Sequence, residues 1–311
     1  MELTLSQLKQ FTSGTVSVER IDGAIHFHRF TPRQVESFGK MHPDFYPRSK
    51  ATAGCRIDFH TDSDMLCLKT AVTGKYEVMI NGLPRFRFLA HSAQELTAAI
   101  EPGEKHITIV LPSHSEGILH SVCVADGASL RPYTYQKRFL FLGDSITQGW
   151  DSRWDCLSYA WQVSTYYHAD SMILGVGGSY FEAETLENVG FDPDVVFIAY
   201  GTNDLFHFSS MNALQNACRT YLGKINAMYP SKKVFCITPL WRRDQVSDIG
   251  TLEEVRKIIA TEASQNGFCV IPGEEMVPAS SEFFADEDLH PNDLGFSLYA
   301  SNLIRAIDPL L

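Results

Sequence analysis

Apolar and polar residues alternate along much of the first 125 positions, and the alternation breaks at short turn-like clusters. In Cys55-Arg56-Ile57-Asp58-Phe59-His60 the odd positions are apolar or small. That is the period of two expected of a strand with one face on a core. Similar short runs span 16–21, 24–30, 65–72, 76–80, 85–89, 96–100, 106–111 and 118–124. Asn81-Gly82 is a hairpin signal between two of them, and Pro102-Gly103 and Asp126-Gly127 mark further turns. After the first dozen residues this region shows no pattern for a helix longer than two turns. Many short strands with turns between them predict an all-β sandwich or jelly roll over residues 1–133, with 127–136 as the linker.

The pattern then changes. Continuous apolar runs at 139–142, 172–174, 194–200, 233–238 and 268–271 read as strands buried on both faces. Between them the period lengthens. Leu157, Ala160, Trp161, Ser164 and Tyr167 share one side of a helix, as do Leu214, Cys218, Tyr221, Leu222 and Ile225 of the next, which Pro230 stops. Thr251 caps a helix over 252–265 that ends at Asn266-Gly267, and 291–307 forms a last one. Alternating strand and helix predict an α/β domain over residues 134–311, a parallel sheet covered on both faces.

Composition narrows the classes. The chain of 311 residues is 44% hydrophobic and 20% charged, which suits two ordinary globular cores. The net charge of −11, with no Lys/Arg run longer than a pair, argues against a nucleic-acid partner and against docking on an anionic membrane. No window is long and apolar enough for a span, and MELTLSQLKQF lacks the basic start and apolar stretch of a signal peptide. The seven cysteines are odd in number and form no C-x-x-C pair. They read as reduced thiols of a cytoplasmic protein without a structural zinc.

Four polar stretches stand where the chemistry of such a sheet gathers, at the carboxyl ends of strands or before the last helix. They are Gly143-Asp144-Ser145, Gly177-Gly178-Ser179, Gly201-Thr202-Asn203-Asp204 and the run from Asp286 to Pro291. Acyl transfer needs a nucleophile, a base and donors for an oxyanion. Ser145 supplies the hydroxyl and His290 the base. The Ser145 and Gly178 N–H groups and the Asn203 amide supply the donors. Each stretch alone also reads as a loop or a helix cap; together, in this order, they are hard to ascribe to coincidence and suit acyl transfer at a serine. Trp150, Tyr180 and Asp204 are expected to meet the substrate, with Trp154, Phe206 and Phe208 nearby. Phe45, Tyr46 and Arg48 suit a ligand surface or, better, loop packing or an interdomain contact. Trp241-Arg242-Arg243 suits the edge of the site or a surface salt bridge.

GDSITQG, GVGGS, GTND and DLHPND resemble, in order, the nucleophile, glycine, asparagine and histidine blocks of the SGNH hydrolases, also called GDSL-type esterases and lipases. The resemblance covers Phe139 to Leu311. It implies a flavodoxin-like three-layer fold and ester hydrolysis through an acyl-enzyme. It makes Ser145 the nucleophile, Gly178 and Asn203 oxyanion donors, and His290 the base. A β-sandwich ahead of such a domain resembles two-domain carbohydrate esterases such as the family 2 acetylesterases. The family pattern has an aspartate three residues before the histidine, where this chain has Glu287 between Asp286 and Asp288. Glu287 is expected to orient His290; Asp288 on an irregular turn, or a backbone carbonyl in a Ser-His dyad, are the alternatives. No metal or organic cofactor is expected. The expected partner is a small ester, an acylated carbohydrate or similar polar alcohol, with a short acyl group such as acetyl. The rival readings are a lysophospholipase or thioesterase, and a non-catalytic carbohydrate-binding protein.

Overall fold

The alternating runs of the first region form two antiparallel sheets in the computed structural model, which describes residues 1–286 and 288–311. One sheet orders Thr12–Ser13, Arg56–Thr61, Lys105–Val110, Gly74–Ile80 and Leu83–Ala90, with Arg131–Pro132 added beside Arg56–Thr61. The other orders Ser17–Ile21, Ala24–His28, Leu119–Val124, Met65–Thr70 and Gln94–Ala99. Ile57, Phe59 and Ile109 of the first meet Phe27, Leu68 and Val122 of the second in one apolar core. Full burial of each such side chain stabilises by about 1.5–3 kcal/mol.

Two expectations for this region need correction. A helix of ten residues, Pro32–Met41, interrupts the strands, and a shorter one, Phe45–Lys50, follows it. Its signal is local and polar: Thr31 and Gln34 form a capping box, and Pro32 opens the first turn. The second correction concerns the polar face of Arg56–Thr61. Arg56 and Asp58 are buried as deeply as their apolar neighbours. Arg56 donates to Ala169 O at 2.5 Å and to Tyr135 Oη at 3.1 Å, and pairs with Asp58 at 3.0 Å. The segment read as a linker therefore supplies a packed tyrosine to a buried network.

Among the described residues the second sheet has five parallel strands, ordered Ala169–Gly175, Lys137–Gly143, Val195–Ala199, Lys233–Ile237 and Cys269–Ile271. In chain order that is 2-1-3-4-5, the flavodoxin-like arrangement. Alternate residues of the first strand serve opposite layers. Phe139 and Phe141 pack with Tyr159 and Phe296 from the helices Tyr159–Tyr166 and Asp293–Ile307. Leu140 and Leu142 pack with Leu214 and Ile259 from Met211–Met228 and Leu252–Gln265. Every strand run and every long helix read from the pattern in this region is present, within a few residues at the ends.

The two regions are joined by buried polar contacts. Arg29 is fully buried and donates to Ala51 O (2.5 Å), Ile173 O (2.8 Å), Gly175 O (3.0 Å) and Arg48 O (3.1 Å). It thereby holds the carboxyl end of Ala169–Gly175 against the loop that follows Phe45–Lys50.

Candidate active site

The order of the sheet sets the place of the site. The first strand lies between the second and third, and the connections leave it in opposite directions, which opens a crevice at its carboxyl end. Gly143 closes that strand with no room for a side chain, since a Cβ there would stand 2.1 Å from Thr147 Oγ1 and 2.7 Å from Ala199 O. The chain then turns into the short helix Ser145–Gln148, capped by Asp144, whose carboxylate accepts from Ile146 N at 2.9 Å. Ser145 is the first residue of this helix, so its N–H has no acceptor within it.

Ser145 Oγ lies 2.8 Å from His290 Nε2, and on the other side of the ring His290 Nδ1 lies 2.8 Å from Asp286 Oδ2. Asp286 also accepts from the His290 backbone N–H at 3.0 Å, so one carboxylate fixes both the ring and its main chain. With the Nδ1 proton donated to a carboxylate, Nε2 is left to accept the serine proton. Ser145 and His290 are both nearly buried, on residues 145 positions apart in sequence.

The glycine and asparagine stretches are tied to the same place. Gly177 N donates to Gln148 Oε1 at 2.7 Å, and Gln148 Nε2 donates to Ser113 O at 2.8 Å. Asn203 Nδ2 donates to Ser179 O at 3.0 Å. Among the described residues the Gly178 N–H has no hydrogen-bond acceptor. Gly178 has φ +83°, and a Cβ there would meet Phe45 at 2.8 Å and Arg48 at 3.1 Å. The space a side chain would need is thus filled from the N-terminal region. Arg48 Nη1 donates to Gly177 O at 2.9 Å, and its guanidinium lies 5.0 Å from the centre of the Trp150 ring. Phe45 and Arg48 are the interregion contact expected of them.

The profile of the GDSL-like lipase/acylhydrolase family matches residues 141–298. The chain belongs to this family. No curated protein sequence matches it. Among solved structures, the salicylyl-acyltransferase SsfX3 from a tetracycline biosynthetic pathway is similar at 17% identity and TM-score 0.85, over 96% of this chain and 94% of that one. A GDSL-like lipase fold from Bacteroides ovatus, itself a putative lipase by name, is similar at 19% identity and TM-score 0.78, over 98% and 96%. A family two carbohydrate esterase from Clostridium thermocellum, solved with cellohexaose, is similar at 17% identity and TM-score 0.65, over 84% and 93%. These structures share its two-part architecture of β-rich N-terminal region and α/β region.

In this GDSL-family chain the third group of the histidine block differs from expectation. Glu287 lies outside the described residues. The carboxylate on Nδ1 is that of Asp286, four residues before the histidine. The intervening turn is irregular: Leu289 N donates to Asp286 O at 3.0 Å, and Asp288 has φ +63°. Asp288 points away and pairs with Arg243 at 2.6 Å, the salt bridge expected of that arginine. The dyad oriented by a backbone carbonyl is not what this loop forms. Asp204, expected at the substrate, is 0% exposed and accepts from Phe181 N at 2.9 Å. Burial pushes its carboxyl up to about 7, and burial together with the Asp204 charge does the same for Asp144. Asp204 is a support for the loop after Gly178, not a substrate contact.

Trp150 and Tyr180 border the site. Trp150 lies 5.9 Å from the His290 ring and 5.4 Å from that of His114, and its buried Nε1 has no partner among the described residues. Tyr180 stacks on His207 at 3.4 Å and meets Phe45 edge-on at 6.2 Å. Beside Trp150 a cavity of about 480 Å³ opens between the N-terminal loops and the turn after the helix Ser145–Gln148, lined by Lys75, Ser113, His114, Ser115, Asp151 and Asp155 among others. A larger one, about 990 Å³, runs along Pro32–Met41, and neither cavity is lined by any of the four stretches. Sequence reasoning missed Gln148, His114 and Asp151, whose partners lie in distant parts of the chain.

Proposed function

We propose that this protein is a serine ester hydrolase that works through an acyl-enzyme and removes a short acyl group, acetyl first, from a carbohydrate or similar polar alcohol. The observation that carries the reading is the continuous hydrogen-bonded line Ser145 Oγ, His290 Nε2, His290 Nδ1, Asp286 Oδ2, with 2.8 Å at each step. In the proposed reaction Oγ adds to the ester carbonyl carbon while Nε2 takes its proton. The Ser145 and Gly178 N–H groups and the Asn203 amide receive the oxyanion. The carbonyl re-forms, and the alcohol leaves with the proton from Nε2. Water, deprotonated by the same nitrogen, then releases the acid and restores Ser145.

Lys75, His114 and Ser115 on the wall of the 480 Å³ cavity offer polar partners to a hydroxyl-rich alcohol. The structural similarity to a carbohydrate esterase solved with cellohexaose points the same way. The similarity to SsfX3 over 96% of the chain favours one second reading, in which an acceptor alcohol replaces water in the deacylation step.

The test is a p-nitrophenyl ester series with Ser145→Ala as control, joined to acetylated oligosaccharides read by mass spectrometry. Acetate is expected to give the highest kcat/KM, and a fluorophosphonate is expected to label Ser145. Preference for chains of about eight carbons or longer, or for acyl-CoA or lysolipid, overturns the acetyl assignment. Absence of labelling in the folded protein overturns hydrolysis altogether and favours a binding protein. Acyl transfer to an added alcohol ahead of water selects the second reading.

A further inference from the structure

Asp286 is not the sole carboxylate at His290. Asp151 Oδ2 stands 2.9 Å from the same Nδ1 atom, and the donor atoms of Asp151, Asp286 and His290 all lie within 4.8 Å of one another. One N–H cannot point at two oxygens. Asp286 lies in line with it and makes the hydrogen bond, while Asp151 is held at ion-pair distance beside it. Two carboxylates so close repel each other, and the arrangement is favourable when the group between them is positive. The imidazole becomes positive at one point of the proposed reaction, when Nε2 has taken the serine proton.

The placement of Asp151 is built rather than incidental. It has φ +65°, a conformation that side-chain-bearing residues rarely adopt. The flanking residues hold it there. Trp150 N donates to Ser145 O at 3.0 Å, Ser152 Oγ to Gly149 O at 2.7 Å, and Arg153 N to Asp293 Oδ1 at 2.7 Å. The Trp150 ring is fixed between Arg48 and Gly177. The carboxylate therefore sits on the turn that leaves the nucleophile helix, six residues after Ser145.

Resting on the ester-hydrolase reading above, we propose that Asp151 is a second positioning residue for His290. It supplies a counter-charge that stabilises the imidazolium of the transition state and serves as an alternative acceptor for the Nδ1 proton. Because it acts on the charged form of the ring, it contributes to kcat more than to KM.

The experiment compares Asp151→Asn, Asp286→Asn and the double variant on p-nitrophenyl acetate in the full chain, with fluorophosphonate labelling of the wild type alongside. The expected result is a fall in kcat of about 10-fold for Asp151→Asn at unchanged KM. Asp286→Asn falls by more, and the double variant falls further than either, because each carboxylate covers for the other. The low-field proton resonance of His290 Nδ1–H, which needs no turnover, is expected to move in Asp151→Asn while the melting temperature stays within a few degrees of the wild type. Asp151→Glu restores part of the rate. Wild-type kcat in Asp151→Asn, an unmoved resonance, and a double variant equal to Asp286→Asn together overturn the proposal while labelling leaves the hydrolase reading intact. A wild type that is neither labelled nor active brings down both. Should EDTA dialysis of the wild type lower kcat to the level of Asp151→Asn, the carboxylates hold a cation on Nδ1, and the positioning role is overturned.

Discussion

The two regions of this chain bury their charged groups for different ends. In the N-terminal region Arg29, Arg56 and Glu77 are buried where they reach across to the α/β region: Arg29 to Ile173 O and Gly175 O, Arg56 to Ala169 O, and Glu77 to the Cys156 N–H at 3.1 Å. In the parallel sheet the buried carboxyls Asp144 and Asp204 lie beneath the loops that carry Ser145 and Asn203. On the proposed reading the α/β region supplies the reacting groups, and the N-terminal region supplies the braces on the loops around them. A sandwich that only carried a binding face would have a solvated outer surface. Here the polar face of Arg56–Thr61 is covered by the neighbouring region, so the two are expected to fail together when the braces are cut.

The comparison breaks most sharply at the reacting groups. Ser145→Ala and His290→Ala are each expected to lower kcat by on the order of 10⁴-fold or more, with the melting temperature close to that of the wild type. Loss of folding in either variant would make these residues structural. Next in size is Arg29→Met, which leaves four carbonyl oxygens without their donor. It is expected to cost about 3 kcal/mol or more in denaturant unfolding, with both regions unfolding in one transition. Two separated transitions would show the regions to be independent.

Gly178→Ala forces a side chain into a left-handed position against Phe45. A fall in kcat of about 10²-fold is expected, since the N–H proposed to receive the oxyanion shifts with the loop. Arg48→Ala removes the brace on Gly177 O from the other side. It is expected to lower kcat about 10-fold at nearly unchanged stability. If kcat is unaffected, the N-terminal region does not order the glycine loop.

The smallest effect is one of pH. Asp155 sits at the junction, accepting from Ser113 N at 2.8 Å, and burial raises its carboxyl from 3.8 to about 7. The folded protein then holds this proton more tightly than the unfolded chain does. The contribution favours folding below about pH 4 and is lost as pH rises through about 7. Asp155→Asn is expected to flatten the pH dependence of the melting temperature across that window. A slope equal to that of the wild type would place the titration elsewhere.

Much of this was legible along the chain. The apolar run Phe139 to Leu142 marks a central strand because both its faces are covered, which removes any need for alternation. Thr251 marks a helix start that the fold reproduces at Leu252. Ser145 and His290 were legible because strand ends in such a sheet gather at one edge. The helix Pro32–Met41 was not, because its apolar positions are few and its start is written in a capping box inside a region of strands.

The sequence by itself determined most of the strands and helices and which side-chain types stand at the strand ends, since both depend on local periodicity and side-chain type. Tertiary structure alone decided which carboxylate reaches His290. A left-handed turn at Asp288 places Asp286 on Nδ1, and a second left-handed residue brings Asp151 to the same atom from another loop. It also decided that the polar face of Arg56–Thr61 is an interior one. Spacing along a chain fixes what shares a helix face or a strand face; it does not fix the path of an irregular turn or what another sheet lays against it.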